Sequence, residues 1–353
     1  MESVSLDILE LILARLPVKS LLRFKSVSAS WNDIISDKDF AIAHFRQSKN
    51  SSSSFYQHMF LFLSRPEKAF RLSKLEDDGL KPLSNDLEYC SDPGCHLEIG
   101  QCCDGLILVS SNIHGHYSII LWNPSARKNI NLGFPFQSPC NFAYGITFDK
   151  MSKDYKIVVA DMKAKQYAVF DNISHRWKEL RSIVEITIED DIKNFRLDDH
   201  MICLSKRVKD QRESETYDIE MIFFDTRDDK FYKFRYNTGA SVENTYCLVD
   251  CSPSQFCMII GDIDSDTCRV MVKKTDKEWM EFDGLRIPWV MLCEWRCKMY
   301  LNDNGSELIV ISHGHFIVYN LIEGKSSMIL KPDDSIGEYP LLGYSDNLFF
   351  SGF

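Results

Sequence analysis

No apolar run in these 353 residues approaches the roughly 20 that a membrane-spanning helix requires. The start also lacks the charged region, apolar core and small-residue cleavage site of a secretory signal. The chain is therefore expected in the cytosol or nucleus, with its 12 cysteines reduced and packed as small hydrophobes. No regular C-x-x-C pair occurs, so the group Cys90, Cys95, His96, Cys102 and Cys103 reads as core and turn residues rather than a zinc site. A nucleophile elbow, a phosphate-binding glycine loop and a His-Glu-x-x-His helix are all missing, which argues against an enzyme. The runs Glu189-Asp190-Asp191 and Asp198-Asp199 read as solvated loops, not a carboxylate pair for hydrolysis. Neither a metal nor a cofactor is expected.

Positive charge is short as well. The net charge is -10, and because the first 50 residues are nearly balanced, the acidic excess lies in the remainder. An acidic body without a basic, aromatic-interleaved stripe repels phosphate backbones, so nucleic acid is excluded as a partner. His114-Gly115-His116 and His313-Gly314-His315 could suggest chelation, but Gly between polar residues at a strand break is hairpin chemistry.

What the chain does have is concentrated in its first 45 residues. In Leu6 to Leu13 only Asp7 and Glu10 are polar, aligned with Ala14 in one narrow stripe. The rest of that helix is apolar almost all round, the mark of burial on more than one side. A segment this small hides little surface alone, so the surplus asks for a partner protein. Ser5 is placed to cap this helix and Pro17 to stop it. Leu21, Leu22 and Phe24 fall on a second helix, and Ser28 caps a third carrying Trp31, Ile34 and Ile35. Asp37 caps a last helix through Phe40 to Phe45. Leu13, Phe24, Ile34 and Ile35 are assigned to the interior. Residues 49–57, rich in serine, read as a linker between a helical module (1–48) and a second domain (58–353).

Beyond the linker the apolar period changes to two. Tyr144 to Phe148, Tyr155 to Ala160, Gln166 to Phe170 and Trp177 to Leu180 are successive strand candidates. An apolar run ending in Asp or Asn and followed by a turn recurs at Asn123, Asp171 and Asp225, with weaker copies ending at Lys273 and Asn320. Phe70 to Leu75 stands as a degenerate copy upstream. A period near 50 residues with several strands per copy points to propeller blades, with strands near Phe60 and Phe349 closing the ring. The fold class is thus α+β by domains, a short helical module followed by a large all-β, β-propeller-like domain. A large β-sandwich or barrel with chance spacing is the competing architecture.

These residues resemble a known family. Ile8-Leu9, Ile12-Leu13, Arg15 to Lys25, Val27-Ser28 and Ser30-Trp31 resemble an F-box in its plant form. Downstream, Cys103-Asp104-Gly105-Leu106-Ile107, Leu121 to Lys128, Tyr144 to Asp149 and Asp154 to Val159 look like the F-box-associated, kelch-like domain of the same proteins, S-locus-F-box-like members among them. The Gly-Gly pairs of kelch repeats are absent, and Val4-Ser5 stands where the family opens with Leu-Pro. The resemblance implies that Ile8, Leu9, Ile12, Leu16, Pro17, Leu21, Leu22, Val27 and Trp31 dock on a Skp-type adaptor. Through it, cullin and RING subunits of a ubiquitin ligase would be recruited to a target protein held by the propeller. It further implies a non-catalytic substrate receptor. The alternative is a propeller-type binding module without ligase activity, its adaptor contact weakened at Val4-Ser5. For the target, the polar insertion Lys206 to Asp218 is the longest candidate loop. Trp289 and Trp295 would make anchors if exposed but are assigned to the core.

Overall fold

A computed structural model of the chain describes residues 5–50, 59–64, 69–76, 79–82, 87–88, 95–137, 142–149, 152–183, 193–197, 201–209, 216–225, 227–241, 246–251, 257–262, 267–273, 279–282, 298–301, 307–312, 315–320 and 325–329, with 323, 342, 343 and 348. Four helices open it: α1 (Leu6–Leu13), α2 (Val18–Phe24), α3 (Ala29–Ser36) and α4 (Lys38–Asn50). Each start follows from a local cap. Ser5 Oγ accepts the Ile8 N–H at 3.4 Å, Ser28 Oγ accepts that of Trp31 at 3.2 Å, and Asp37 Oδ1 that of Phe40 at 2.9 Å. Pro17 precedes α2, where its missing N–H leaves no helical bond unmade. The last helix outruns its expected end at Phe45, taking in Lys49 and Asn50 from the expected linker. No Gly or Pro interrupts it there, and Ser48 Oγ donates to the His44 carbonyl at 2.9 Å instead of breaking the turn. Residues 51–58 lie outside the described residues.

The rest is strand. The first sheet takes β1 (Met59–Ser64), β2 (Ala69–Glu76), β3 (Gly79–Pro82) and the two-residue β4 (Leu87–Glu88). The second holds β5 (Cys95–Cys103), β6 (Leu106–Ile113), β7 (His116–Asn123) and β8 (Lys128–Asn131). The third holds β9 (Phe142–Asp149), β10 (Asp154–Asp161), β11 (Gln166–Asp171), β12 (Arg176–Trp177) and β13 (Arg181–Ser182). The fourth has β14 (Lys193–Leu197), β15 (Met201–Lys209), β16 (Thr216–Asp225) and β17 (Lys230–Ser241). Next come β18 (Tyr246–Cys251), β19 (Cys257–Asp262), β20 (Thr267–Lys273) and β21 (Trp279–Phe282). The last group is β22 (Lys298–Leu301), β23 (Glu307–Ser312), β24 (His315–Asn320) and β25 (Lys325–Ile329). Finally β26 (Leu342–Gly343) returns to pair with β1, Leu61 facing Leu342 and Phe60 facing Gly343.

Within each group the strands are antiparallel neighbours in chain order, except that β4 pairs with β2 and β13 with β11. Their first strands meet: β5 touches β9, β9 touches β14, β14 touches β18, and β26 touches β5. The pair β18 and β22 is joined in parallel through Asp250–Tyr300 and Cys251–Leu301. Six radial units with parallel innermost strands, closed by one strand from the far end of the chain, form a β-propeller. The closing strand is β26; Phe349 lies outside the described residues.

The repeat seen in the sequence has a structural identity. Asn123, Asp171, Asp225, Lys273 and Asn320 are the last residues of β7, β11, β16, β20 and β24, the third strand of each blade, and Phe70 to Leu75 lies in the equivalent β2. In six hairpins an Asp or Asn pairs with the residue five positions on: Asn123–Lys128, Asp149–Asp154, Asp161–Gln166, Asp171–Arg176, Asp225–Lys230 and Asn320–Lys325. The side chain accepts bonds from inside its own loop, for example Asn123 Oδ1 from Ala126 N–H at 3.0 Å and Asp161 Oδ1 from Ala164 N–H at 2.9 Å. In five of the six, the fourth loop residue is left-handed without being glycine: Arg127, Lys153, Lys165, His175 and Asp229, at φ 51 to 54°. A chain with only 16 glycines thus closes its hairpins with Asx turns.

Glycine is required elsewhere. His114 and Gly115 (φ 51° and 87°) form the expected two-residue turn between β6 and β7, both central residues left-handed. His313 and Gly314 lie outside the described residues. Gly100 marks the register shift in β5 between Ile99 and Gln101, and a Cβ there would strike the Tyr144 ring.

Three expectations need correction. The strand drawn from Trp177 to Leu180 is only Arg176–Trp177: Trp177 Nε1 donates to the Leu132 carbonyl at 2.7 Å, tying it to the neighbouring blade, and Leu180 is exposed. In the insertion from Lys206 to Asp218, expected to be a loop, Lys206 to Lys209 are strand and pair with Tyr217 to Glu220, while residues 210–215 lie outside the described residues. On the partner strand Tyr217 and Ile219 alternate with Asp218 and Glu220, and that alternation carries the ladder into the polar stretch. Ala14, assigned to the polar stripe of α1, is buried. Cys102 and Cys103 are buried in the core as free thiols. Cys90, Glu189 to Asp191, Asp198-Asp199, Trp289 and Trp295 lie outside the described residues.

One apolar core runs from the helices into the second and third blades. Leu13, Val18, Leu21, Ile35, Phe40 and Phe45 share it with Leu106, Ile119, Ile146, Tyr155 and Leu348. At its edge Lys38 Nζ meets Asp154 Oδ2 at 2.9 Å, and Lys153 Nζ meets Asp39 Oδ1 at 2.7 Å. Two Lys-Asp dipeptides, one on the helices and one on the β9–β10 turn, therefore pair crosswise.

Candidate functional site: an exposed apolar surface on the helices

The shared core takes Leu13 and Ala14 at the C-terminal end of α1, with Leu9 half-buried against it, and leaves most of the helix's other apolar side chains uncovered. Leu6, Ile8, Leu11 and Ile12 are 65%, 52%, 60% and 50% exposed, and Val27, between α2 and α3, is 59% exposed. Among the described residues only Ile173, Leu180 and Tyr232 of the propeller join them as exposed large hydrophobics. Fully burying a Leu, Ile or Val side chain is worth roughly 1.5–3 kcal/mol. Five such side chains, each about half uncovered, therefore represent on the order of 5 kcal/mol of unused stabilisation. Lone exposed apolar residues are ordinary; a concentration of them is not.

The residues implied by the resemblance fall into three groups. Ile8, Ile12, Pro17 and Val27 are exposed; Leu9, Leu16, Leu22 and Trp31 are half-buried. Leu21 is completely buried and belongs to the core shared by the helices and the propeller. Leu6 and Leu11 are missing from the implied set, yet they are more exposed than any of its members on α1. The all-round apolarity of that helix was the signal that could have found them. Of the residues assigned inside, Leu13 and Ile35 are buried, while Phe24 and Ile34 are half-buried against the core.

The half-buried members are held in place. Phe24 and Trp31 meet edge to face, ring centroids 5.3 Å apart, which fixes the indole at the α2–α3 corner. Leu16 O lies 2.8 Å from His44 Nε2, and since a carbonyl only accepts, Nε2 carries the proton. That bond anchors the Leu16-Pro17 corner to α4. Where a Leu-Pro opening would fix the first turn, Ser5 does so by its cap, and Val4 lies outside the described residues.

Electrostatics frame the surface without entering it. Asp7 and Glu10 supply a polar edge on α1. The Asp39 carboxyl is held below the usual range by its hydrogen bond from Lys153 and by that ammonium's charge. Partial burial, and then the neighbouring Lys128, lower Lys25 below the ordinary lysine value. Among the described residues no group of three or more His, Cys, Asp or Glu is placed to hold a metal ion, and no helix is long and apolar enough to cross a membrane. The arrangement is suited to docking a complementary apolar surface.

Residues 1–42 match the F-box domain family, and residues 76–337 match the F-box associated beta propeller domain. An F-box/kelch-repeat protein of Arabidopsis thaliana is 30% identical over 192 residues, 51% of each chain. A putative F-box protein of the same plant is 20% identical over 332 residues, 89% of this chain and 82% of that one. The F-box protein CPR1, also from Arabidopsis thaliana, is 28% identical over 165 residues, 45% of this chain and 37% of that one. The chain thus spans about half the length, or less, of two of these three relatives.

Proposed function

Because the chain belongs to the F-box-associated β-propeller family and carries an F-box ahead of the propeller, we propose that it is the substrate-recognition subunit of a cullin-RING ubiquitin ligase. Docking on a Skp-type adaptor would use α1 and Val27, with Leu9, Leu16, Pro17, Leu22 and Trp31 around them. The observation that carries this reading is the concentration of exposed apolar residues on the helices: Leu6, Ile8, Leu11, Ile12 and Val27. The propeller would hold a target protein in the cytosol or nucleus while the RING-bound conjugating enzyme, recruited through the cullin, delivers ubiquitin. The chain itself would position and not catalyse. Its contribution is effective concentration, since a tethered lysine meets the thioester far more often than a free one. The continuous core and the crossed Lys-Asp pairs support this role by fixing the helices against the second and third blades.

Adaptor capture tests the reading. The full chain should retain a Skp-type adaptor stoichiometrically, and Leu16→Ala/Pro17→Ala should lose it. Failure to capture any of several adaptor paralogues would favour the alternative, a binding propeller without ligase activity.

A further inference from the structure

The outermost strands of a propeller blade have one unpaired edge, and this chain keeps five of them short. β3, β8 and β21 have 4 residues each, β12 has 2 and β25 has 5. Short edges are the usual protection against unwanted strand pairing. The fourth blade breaks this pattern: β17 has 12 residues, and its neighbour β16 has 10. The pairing runs from Asp225–Lys230 to Thr216–Ser241, so the blade extends as a three-stranded tongue at the end of the strands opposite the Asp225 turn. Among the described residues β17 has a strand on one side only.

Charge along this edge is one-sided. From Lys230 to Ser241 the sequence carries Lys230, Lys233 and Arg235 and no Asp or Glu, in a chain of net charge -10. By register, Lys206, Glu220 and Arg235 lie in one row across β15, β16 and β17, alternating in sign. A fourth strand that continued the row would place a carboxylate beside Arg235, the favourable choice for a cross-strand pair. Two copies of the same basic edge would repel, which disfavours self-pairing.

We propose that β17 is a docking edge for an extended, acidic segment of a partner protein, which adds to the fourth blade as a further antiparallel or parallel strand. Main-chain hydrogen bonds supply the affinity, and the basic residues select for carboxylate-bearing segments. This deepens the receptor reading and rests on it for the identity of that partner as a ubiquitination target.

The test uses the full chain and three fluorescent ten-residue peptides: one alternating Val and Glu, one alternating Val and Lys, and one acidic peptide interrupted by two prolines. Binding is read by anisotropy, and hydrogen exchange is followed over residues 230–241. The Val-Glu peptide should bind and slow exchange along this segment, while the other two should not. Lys233→Glu/Arg235→Glu should weaken binding by about tenfold, from two cross-strand charge pairs. Full protection of 230–241 in the free chain would overturn the proposal, as would self-association through this edge. So would equal binding of the proline-containing acidic peptide, an unaffected double reversal, or no binding of the Val-Glu peptide. Adaptor capture by the same preparations reports separately on the receptor reading, because these substitutions lie on the fourth blade and α1 is unchanged.

Discussion

Ile8 and Leu21 both stand in the F-box pattern, and the structure places them in opposite environments. Ile8 and Ile12 are about half exposed, while Leu21 is fully buried in the core shared with the propeller. In Ile8→Ala/Ile12→Ala the helix itself should not suffer, since Ala is the strongest helix former. An adaptor covering the exposed half of each side chain would lose roughly 1 kcal/mol per truncation. The pair together should therefore weaken adaptor affinity by about thirtyfold, with the unfolding free energy changed by less than about 1 kcal/mol. Leu21→Ala should do the reverse: about 2–5 kcal/mol of stability lost to the cavity, with little change in affinity for the molecules that remain folded. Isothermal titration of a Skp-type adaptor against the purified full chain, beside denaturant unfolding, measures both. If the α1 pair destabilises as much as Leu21→Ala and leaves affinity intact, the assignment of α1 as a docking surface is wrong.

Other outcomes follow from the turns, the bulge and the interdomain contacts. Gly100→Ala should destabilise by about 1–3 kcal/mol through overpacking against the buried Tyr144 ring, and a smaller side chain at Tyr144 should relieve part of that loss in a double-mutant cycle. Lys165→Gly should stabilise by up to about 1 kcal/mol, because it removes a Cβ from a left-handed position (φ 54°). Asn123→Ala should cost about 1–2 kcal/mol, its buried amide being the acceptor for the Ala126 N–H. Thermal unfolding of the full chain would read all of these. The Asp39 carboxyl is depressed in the folded state. Its stabilising effect is therefore present above the ordinary aspartate value and disappears as pH falls through the lowered one. Asp39→Asn should flatten the acid side of the stability profile slightly, and raised salt should do the same to the wild type; an unchanged profile would show that the contact with Lys153 is not formed in solution.

Much of the β-domain was legible because its repeat is local chemistry. An Asp or Asn at a strand end bonds to backbone two or three residues ahead, so the same residue type returns where the third strand of most blades turns. The helix starts at Ser5, Ser28 and Asp37 were legible for the same reason. The polar stretch around Lys206 was misleading because hydrophilicity reads as loop, although backbone pairing with a neighbouring strand can hold a polar segment extended. Leu6 and Leu11 were passed over because a family pattern marks recurring positions, whereas exposure depends on what each face meets.

The sequence by itself determined the caps, the Asx hairpins, the blade period and the surplus of apolar residues on α1. The caps and Asx hairpins close over two to five residues, and the period and the surplus follow from the order of residues along the chain, so none of them depends on what packs from elsewhere. Only the tertiary structure decided which apolar residues remain uncovered. Leu21 is spent on the core and Ile8 is not because the helices are seated on the second and third blades, through a core of side chains from both domains and through contacts such as Lys153–Asp39, 114 residues apart. Burial is a property of what packs from elsewhere in the chain, and neither helical periodicity nor local hydrogen bonding encodes it.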